Sequence, residues 1–409
     1  MTLIKTDVPF FRPELSADEV AEVVDTLRSG WLTTGPKVRR FEQDFAKAVG
    51  GRHAIALNSC TAALHLALEA LHLKPGQAVL VPTMTFAATA EVVAYLRAVP
   101  VLVDCDPRTG NMDMADAVRR AALVREGRLP GIPAETREVV GIIPVHVGGL
   151  MMDVAVAKDT ASQNGWWVVE DAAHAFPAAR KEGPDAAWRR CGEATAAVTC
   201  FSFYANKTIT TGEGGMAVTD DDELASRMKL MSLHGLSHDA WNRYSAQGKW
   251  DYQIVAPGFK YNMTDVAAAL GIHQLARAEA MRQRREEIAL QYLEAFADLD
   301  EVELPVVDEN CLHSWHLFSI ALHLDRLSIG RNEFIEKLQA AGVKCSVHWR
   351  PLHMHRYYQD VFGYVDANLP VATSRFERIL SLPLFPGLTE DEIGAVISGV
   401  RDLARNHRR

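Results

Sequence analysis

Trp166-Trp167-Val168-Val169-Glu170-Asp171-Ala172-Ala173-His174 is an apolar run that ends on two carboxylates and an imidazole. A second such run, Phe201-Ser202-Phe203-Tyr204-Ala205-Asn206-Lys207, ends on an amine and leads through Thr-Ile-Thr-Thr-Gly-Glu-Gly to Gly215. Short continuous apolar runs suit strands covered on both faces, as in a parallel sheet. Each run delivers an ionisable group at or just past its C-terminal end. That edge is where open α/β sheets bind ligands. A carboxylate, Asp171, and an amine, Lys207, placed there are what a pyridoxal phosphate enzyme needs. The lysine forms a Schiff base with the cofactor aldehyde, and the aspartate pairs with the pyridinium nitrogen and keeps the ring an electron sink.

Outward from this pair the chain alternates. Strands are expected at 54–57, 78–81, 101–103, 139–145, 167–170, 195–203 and 215–219, and helices at 87–97, 113–123, 154–163 and 220–231. Alternation at this spacing indicates βα units and a mainly parallel sheet, an α/β fold. Where the first strand meets its helix, Asn58-Ser59-Cys60-Thr61 would expose backbone N–H groups at the positive end of the helix dipole, a seat for a phosphate. Ser16 with Glu19 and Thr389 with Glu392 read as capping boxes. Trp31 to Pro36 is a hydroxyl-rich turn, and 125–137 a polar excursion. The stretch from Ser237 to Pro257 lacks periodicity and is of the length that is usually functional or mobile. Thr264 or Asp265 caps a long helix to about Phe296. The domain boundary is placed on that helix: a large domain over 1–280, and a smaller C-terminal α+β domain over 281–409. Within the smaller domain, strands are expected at 315–323 and 343–347 and a helix at 331–341.

Composition narrows the classes. The 409 residues are 48% apolar and 23% charged, as in a soluble globular protein. A net charge of −9 argues against nucleic-acid binding. The six cysteines show no C-x-x-C and no zinc-like spacing, so no metal site and buried free thiols are expected. That fits a reducing cytoplasm. The N-terminus has no signal-peptide core, and no apolar run approaches membrane-spanning length.

Taken together, Trp31–Pro36, Ser59–Leu64, Val169–Ala175, Phe201–Gly215, Pro257-Gly-Phe-Lys-Tyr-Asn-Met-Thr and Ser381-Leu-Pro-Leu-Phe-Pro resemble the DegT/DnrJ/EryC1/StrS family of sugar aminotransferases, nearly end to end. Gly258-Phe-Lys-Tyr-Asn262 and Trp315-His-Leu-Phe318 are most similar to the UDP-4-amino-4-deoxy-L-arabinose type, the 4-aminotransferases of nucleotide-linked sugars. The resemblance implies the type I aminotransferase fold, pyridoxal phosphate, glutamate as amino donor, and a homodimer with shared sites. It makes Lys207 the Schiff-base lysine and Asp171 the partner of the ring nitrogen. It puts His174 near the ring hydroxyl, Cys60, Thr61 and Ser202 at the phosphate, and Phe86 on the ring face. Asn262 would reach the phosphate of the neighbouring subunit. Thr34, Arg243, Lys249, His348 and Arg350 are candidates for the sugar and nucleotide. His146 is read as structural. Three alternatives compete: a 3-aminotransferase, a non-catalytic regulator that binds the cofactor, and the family's 3-dehydratases. The last replace the lysine with histidine, which this chain does not.

Overall fold

The computed structural model describes residues 7–236 and 253–409. Helices α1 (Ala17–Ser29) and α2 (Pro36–Val49) precede the alternating region. It comprises β1 (His53–Leu57), α3 (Cys60–Ala70), β2 (Ala78–Pro82), α4 (Ala88–Tyr95), β3 (Val99–Val103), α5 (Met114–Glu126), β4 (Val139–Ile142), α6 (Val154–Asn164) and β5 (Trp167–Asp171). Two short strands, β6 (Ala179–Arg180) and β7 (Arg189–Arg190), lead to β8 (Val198–Ser202), β9 (Gly215–Thr219) and α7 (Asp222–Met231). Then follow α8 (Asp265–Phe296), β10 (Val302–Glu303), β11 (Cys311–Leu312), β12 (Phe318–Leu322), α9 (Arg331–Ala340), α10 (Arg356–Phe362), α11 (Pro370–Arg378), β13 (Ile379–Leu382) and α12 (Glu390–Asn406).

The main sheet has seven strands in the order β1-β9-β8-β5-β4-β2-β3. Only β9 runs antiparallel to its neighbours; the other pairs are parallel. The α/β reading therefore holds. All five residues of β2 and of β3 are buried, as strands covered on both faces must be. A second sheet, β10-β12-β13, is antiparallel throughout. The apolar side chains of α8 change company along its length. Ala268 to Met281 pack with α2 and the residues near β8, whereas Ile288 to Phe296 pack with β12, β13 and α12.

Both capping boxes form. The Trp31–Pro36 turn is tied to the start of α8. The Asp265 carboxylate accepts the N–H groups of Gly35 (2.7 Å), Val38 (3.0 Å) and Lys37 (3.1 Å), so one side chain caps α2 from another helix.

Several expected boundaries move. Helix α5 carries on through Glu126, into the expected polar excursion, and stops where Gly127 takes φ 67°. The expected strand from Trp315 begins instead at Phe318, because Trp315 itself has φ 49° and breaks the extended chain. The expected strand at 343–347 does not form. Val343 and Ser346 make only isolated bridges, to Val8 and Ser381, so no ladder runs along the segment. Among the described residues, no helix is long and apolar enough to cross a membrane.

Candidate active site

The C-terminal ends of the parallel strands surround a cavity of about 580 Å³. Asp171 closes β5. Lys207 stands in the loop from β8 to β9, whose mouth is fixed by the bond from Phe203 N–H to the Gly214 carbonyl (2.9 Å). Thr211 N–H returns to the Phe203 carbonyl (3.0 Å), and Thr210 N–H is held by Gln274 of α8 (3.2 Å). The lysine is thus carried by a loop pinned at its base and at its far side.

Cys60, Thr61, Phe86, Asp171, His174 and Ser202 line this cavity with Lys207, and so does His348. These expected residues come together from four strand ends and from the smaller sheet's side of the molecule. Ser59 caps α3, its hydroxyl accepting the Ala62 N–H (3.1 Å), which leaves the N–H groups of Cys60 and Thr61 at the helix mouth. Gly215 makes this approach possible. A Cβ there would lie 2.5 Å from the Cys60 nitrogen. Burial pushes the Cys60 thiol well above its usual range, so this residue offers its backbone rather than a thiolate.

Asp171 is 5% exposed. One carboxylate oxygen accepts Thr89 Oγ1–H (2.7 Å) and the other Ala173 N–H (3.1 Å), while Thr85 Oγ1 lies 2.7 Å from Thr89 Oγ1. Burial nevertheless raises its pKa, against the pull of those bonds and of Lys207. Burial also lowers the Lys207 amine to about 8, with Asp171 opposing. His174 accepts the Gly148 N–H at Nδ1 (3.3 Å), which leaves its proton on Nε2. Burial, then the charge of Lys207, hold His174 well below its usual pKa, so the ring is neutral.

Other expected residues lie elsewhere. Asn262 faces a separate depression, where its Nδ2 donates to Thr34 Oγ1 (2.7 Å) and its Oδ1 accepts from Lys260 (2.7 Å). Thr34 donates in turn to the Met263 carbonyl (2.5 Å). Arg350 is turned onto the Met354 carbonyl (3.0 and 3.1 Å), away from the cavity walls. Arg243 and Lys249 lie outside the described residues. Thr85, Thr89, His316 and Trp349 were not expected from the sequence. Three of them line the cavity, and Thr89 acts through Asp171.

His146, Glu170 and Cys191 form a buried cluster of metal-ligand types on the far face of β5. His146 Nδ1 accepts the Met152 N–H (3.2 Å), which puts the proton on Nε2, the atom facing Glu170 at 3.9 Å. Ligand histidines have the reverse arrangement, donating from their second nitrogen. His146 and Glu170 are therefore a polar pair of the core, with Cys191 beside them.

Pyridoxal phosphate fits the cavity on three counts. A buried carboxylate of raised pKa calls for a cationic partner, which the pyridinium supplies. A helix mouth whose Cys60 and Thr61 N–H groups have no partner among the described residues suits a phosphate. The Phe86 ring, 65% exposed on the wall, offers a flat apolar face to a ring. Such a carboxylate and amine, at the edge of a mainly parallel sheet, are those of a pyridoxal-phosphate-dependent enzyme. The chain matches the model of the DegT/DnrJ/EryC1/StrS aminotransferase family over residues 13–401. It is 42% identical to the spore coat polysaccharide biosynthesis protein SpsC of Bacillus subtilis, over 97% of each chain. Its fold is similar to the PLP form of the putative sugar aminotransferase Spr1654 from Streptococcus pneumoniae (TM-score 0.85, 32% identity, 98% of this chain and 99% of that one). It is also similar to DesV of S. venezuelae (TM-score 0.83, 30% identity, 98% and 99%). The chain belongs to the DegT/DnrJ/EryC1/StrS family and is a sugar aminotransferase that uses pyridoxal phosphate.

Proposed function

We propose that the protein moves the amino group of glutamate to C4 of a nucleotide-linked 4-keto sugar, releasing 2-oxoglutarate. The observation that carries this reading is the pairing of Lys207 with Asp171 in one cavity of a chain of this family. Bound there, pyridoxal phosphate supplies an electron sink for the substrate's reacting carbon. The residues of the chain do the rest. The N–H groups of Cys60 and Thr61, with Ser202, would hold the phosphate, and Phe86 would cover the ring. His174 would donate from Nε2 to the ring hydroxyl. Asp171 would keep the ring nitrogen protonated. Lys207 Nζ would take the proton from the donor's Cα and return it to the carbon on the far side of the transferred nitrogen, and with the sugar it would work in the opposite direction. An amine of pKa about 8 is near the value at which one group both accepts and returns a proton near neutral pH. His348, neutral because burial and then Lys207 lower it to about 4, is a wall residue for the sugar. The test is a panel of UDP-, dTDP- and GDP-linked 4-keto sugars, incubated with holoenzyme and glutamate and read by mass spectrometry. Carbonyl-to-amine exchange on one of them supports the reading, and NMR of the product distinguishes C4 from C3. Loss of the amino group from glutamate with no sugar aminated would overturn it.

The functional unit in this reading is a homodimer in the cytoplasm. Asn262 and Thr34, bonded to each other away from their own cavity, would serve the partner's phosphate. Leu32, beside this pair, and Tyr204, at the cavity, are large apolar side chains left 48% and 46% exposed, surface that a second subunit would cover. Losing the Asn262 contact would cost roughly 1–3 kcal/mol, or about ten-fold or more in cofactor affinity. Mixing inactive Lys207→Ala with weak-binding Asn262→Ala, under conditions that exchange subunits, is expected to restore activity. One site of the heterodimer then carries both lesions and the other neither. No recovery in verified heterodimers would mean that Asn262 serves its own subunit.

A further inference from the structure

Lys207 is the one ammonium or guanidinium group among the described residues that line the cavity. On the function proposed above, this cavity takes two dissimilar substrates in turn. One is an amino acid with carboxylates. The other is a sugar whose hydroxyls are neutral. A fixed arginine would suit the first and be left without a counter-charge beside the second. A neutral group that can both donate and accept would suit each.

His316 has those properties. It is 5% exposed and lines the cavity. Its Nδ1 is buried with no hydrogen-bond partner, and Nε2 has none among the described residues either. Buried polar groups nearly always have a partner, so a ring on a cavity wall with neither nitrogen paired among the described residues points to a ligand. The neighbouring histidine shows the contrast. The His174 ring lies 4.1 Å from that of His316, yet His174 is anchored through Gly148 N–H and stacks on Trp349 at 5.0 Å. The backbone around His316 is fixed on both sides. The Trp315 carbonyl accepts from buried Arg285 (3.2 Å), and Leu317 N–H donates to the Gly148 carbonyl (3.1 Å). Burial, and the charges of Lys207 and Arg285, keep the His316 ring neutral.

We propose that His316 is a substrate-binding residue shared by both halves of the reaction. Its ring N–H donates to a carboxylate of the amino donor in one half and exchanges a hydrogen bond with a sugar hydroxyl in the other. The experiment compares wild type, His316→Leu and His316→Gln as holoenzymes, following each half-reaction separately by single-turnover absorbance. In His316→Leu the cofactor affinity stays within about two-fold. The half-saturating concentrations of glutamate and of the keto sugar each rise about ten-fold or more, as for one lost hydrogen bond to a charged or polar ligand. His316→Gln, which keeps a donor and an acceptor, recovers most of both. As a readout independent of turnover, the ¹⁵N signals of His316 in the wild type shift when glutarate is added. Unchanged half-saturation in His316→Leu overturns the proposal, and so does a change confined to one substrate. If that variant does not fold, an unmoved His316 signal with saturating glutarate overturns it. Wild-type holoenzyme that reacts with neither substrate would instead remove the function on which the proposal rests.

Discussion

Replacing Lys207 with alanine is expected to remove the absorbance of the lysine-bound cofactor and to lower turnover by at least about four orders of magnitude, with the fold intact. Proton transfer by a positioned side chain is worth about 10²–10⁴-fold, and the lysine is also the cofactor's covalent anchor. The fold should tolerate the change because Lys207 Nζ makes no hydrogen bond among the described residues. Its loop is held by Phe203, Thr210 and Thr211 instead. Removing an amine whose burial depresses its pKa leaves no carboxylate without a direct bond, since Asp171 keeps Thr89 and Ala173. Borohydride reduction followed by peptide mapping checks the assignment, and label on another lysine would sink it. The pKa of about 8 adds a pH dependence. Only the neutral amine attacks an aldehyde. The rate at which cofactor-free protein captures pyridoxal phosphate should therefore rise about ten-fold per pH unit below 8 and level off above it. A rate still climbing towards the ordinary lysine value of 10.5 would mean that the amine is not desolvated in solution.

The residues that announced themselves in the sequence did so through local pattern. Asp171 and Lys207 each follow an apolar strand, and strand ends converge in a parallel sheet, so their meeting follows from topology. The Ser59 cap and the small residues after it made a strand-to-helix junction visible before any tertiary contact was known. What stayed hidden depends on pairs far apart in the chain. Thr89 looks like any threonine in the first turn of a helix until its hydroxyl is seen 2.7 Å from Asp171. His316 lay inside an expected strand, and only the left-handed Trp315 reveals that the chain turns there before β12 starts. Arg350 shows how little position along the chain says about where a long side chain lies. A cation near His348 in sequence reads as a ligand contact, and in the fold its guanidinium lies on a carbonyl four residues on. The 343–347 segment alternates like a strand, yet it finds a neighbour at only two residues, and a strand needs a ladder.

Asp171→Asn is expected to keep the cofactor bound and to lower turnover by about three orders of magnitude or more, an electronic effect rather than a loss of binding. The two side chains are the same size. An asparagine oxygen can still accept one of the two donors that now hold the carboxylate, Thr89 Oγ1–H or Ala173 N–H. The Thr85–Thr89 hydroxyl pair can turn to receive the new N–H donor, since either oxygen of that pair can act as donor. Lys207 and the helix mouth at Cys60 and Thr61 are untouched, so affinity should fall by less than about ten-fold. What the amide cannot do is balance a positive charge. Asp171 is buried, and its raised pKa shows that its charge is poorly compensated by the protein alone. A protonated ring nitrogen compensates it, and the carboxylate holds that proton in place near neutral pH. Without the carboxylate the nitrogen loses the proton, and the ring draws electrons from the reacting carbon far less strongly. The measurements are single-turnover rates with glutamate and the ¹⁵N shift of the ring nitrogen in labelled cofactor. A slow variant with an unprotonated ring is the expected pair of results. Near-normal rates with the ring still protonated would show that another group is its partner. Near-normal rates with the ring unprotonated would show that the reaction does not need that proton.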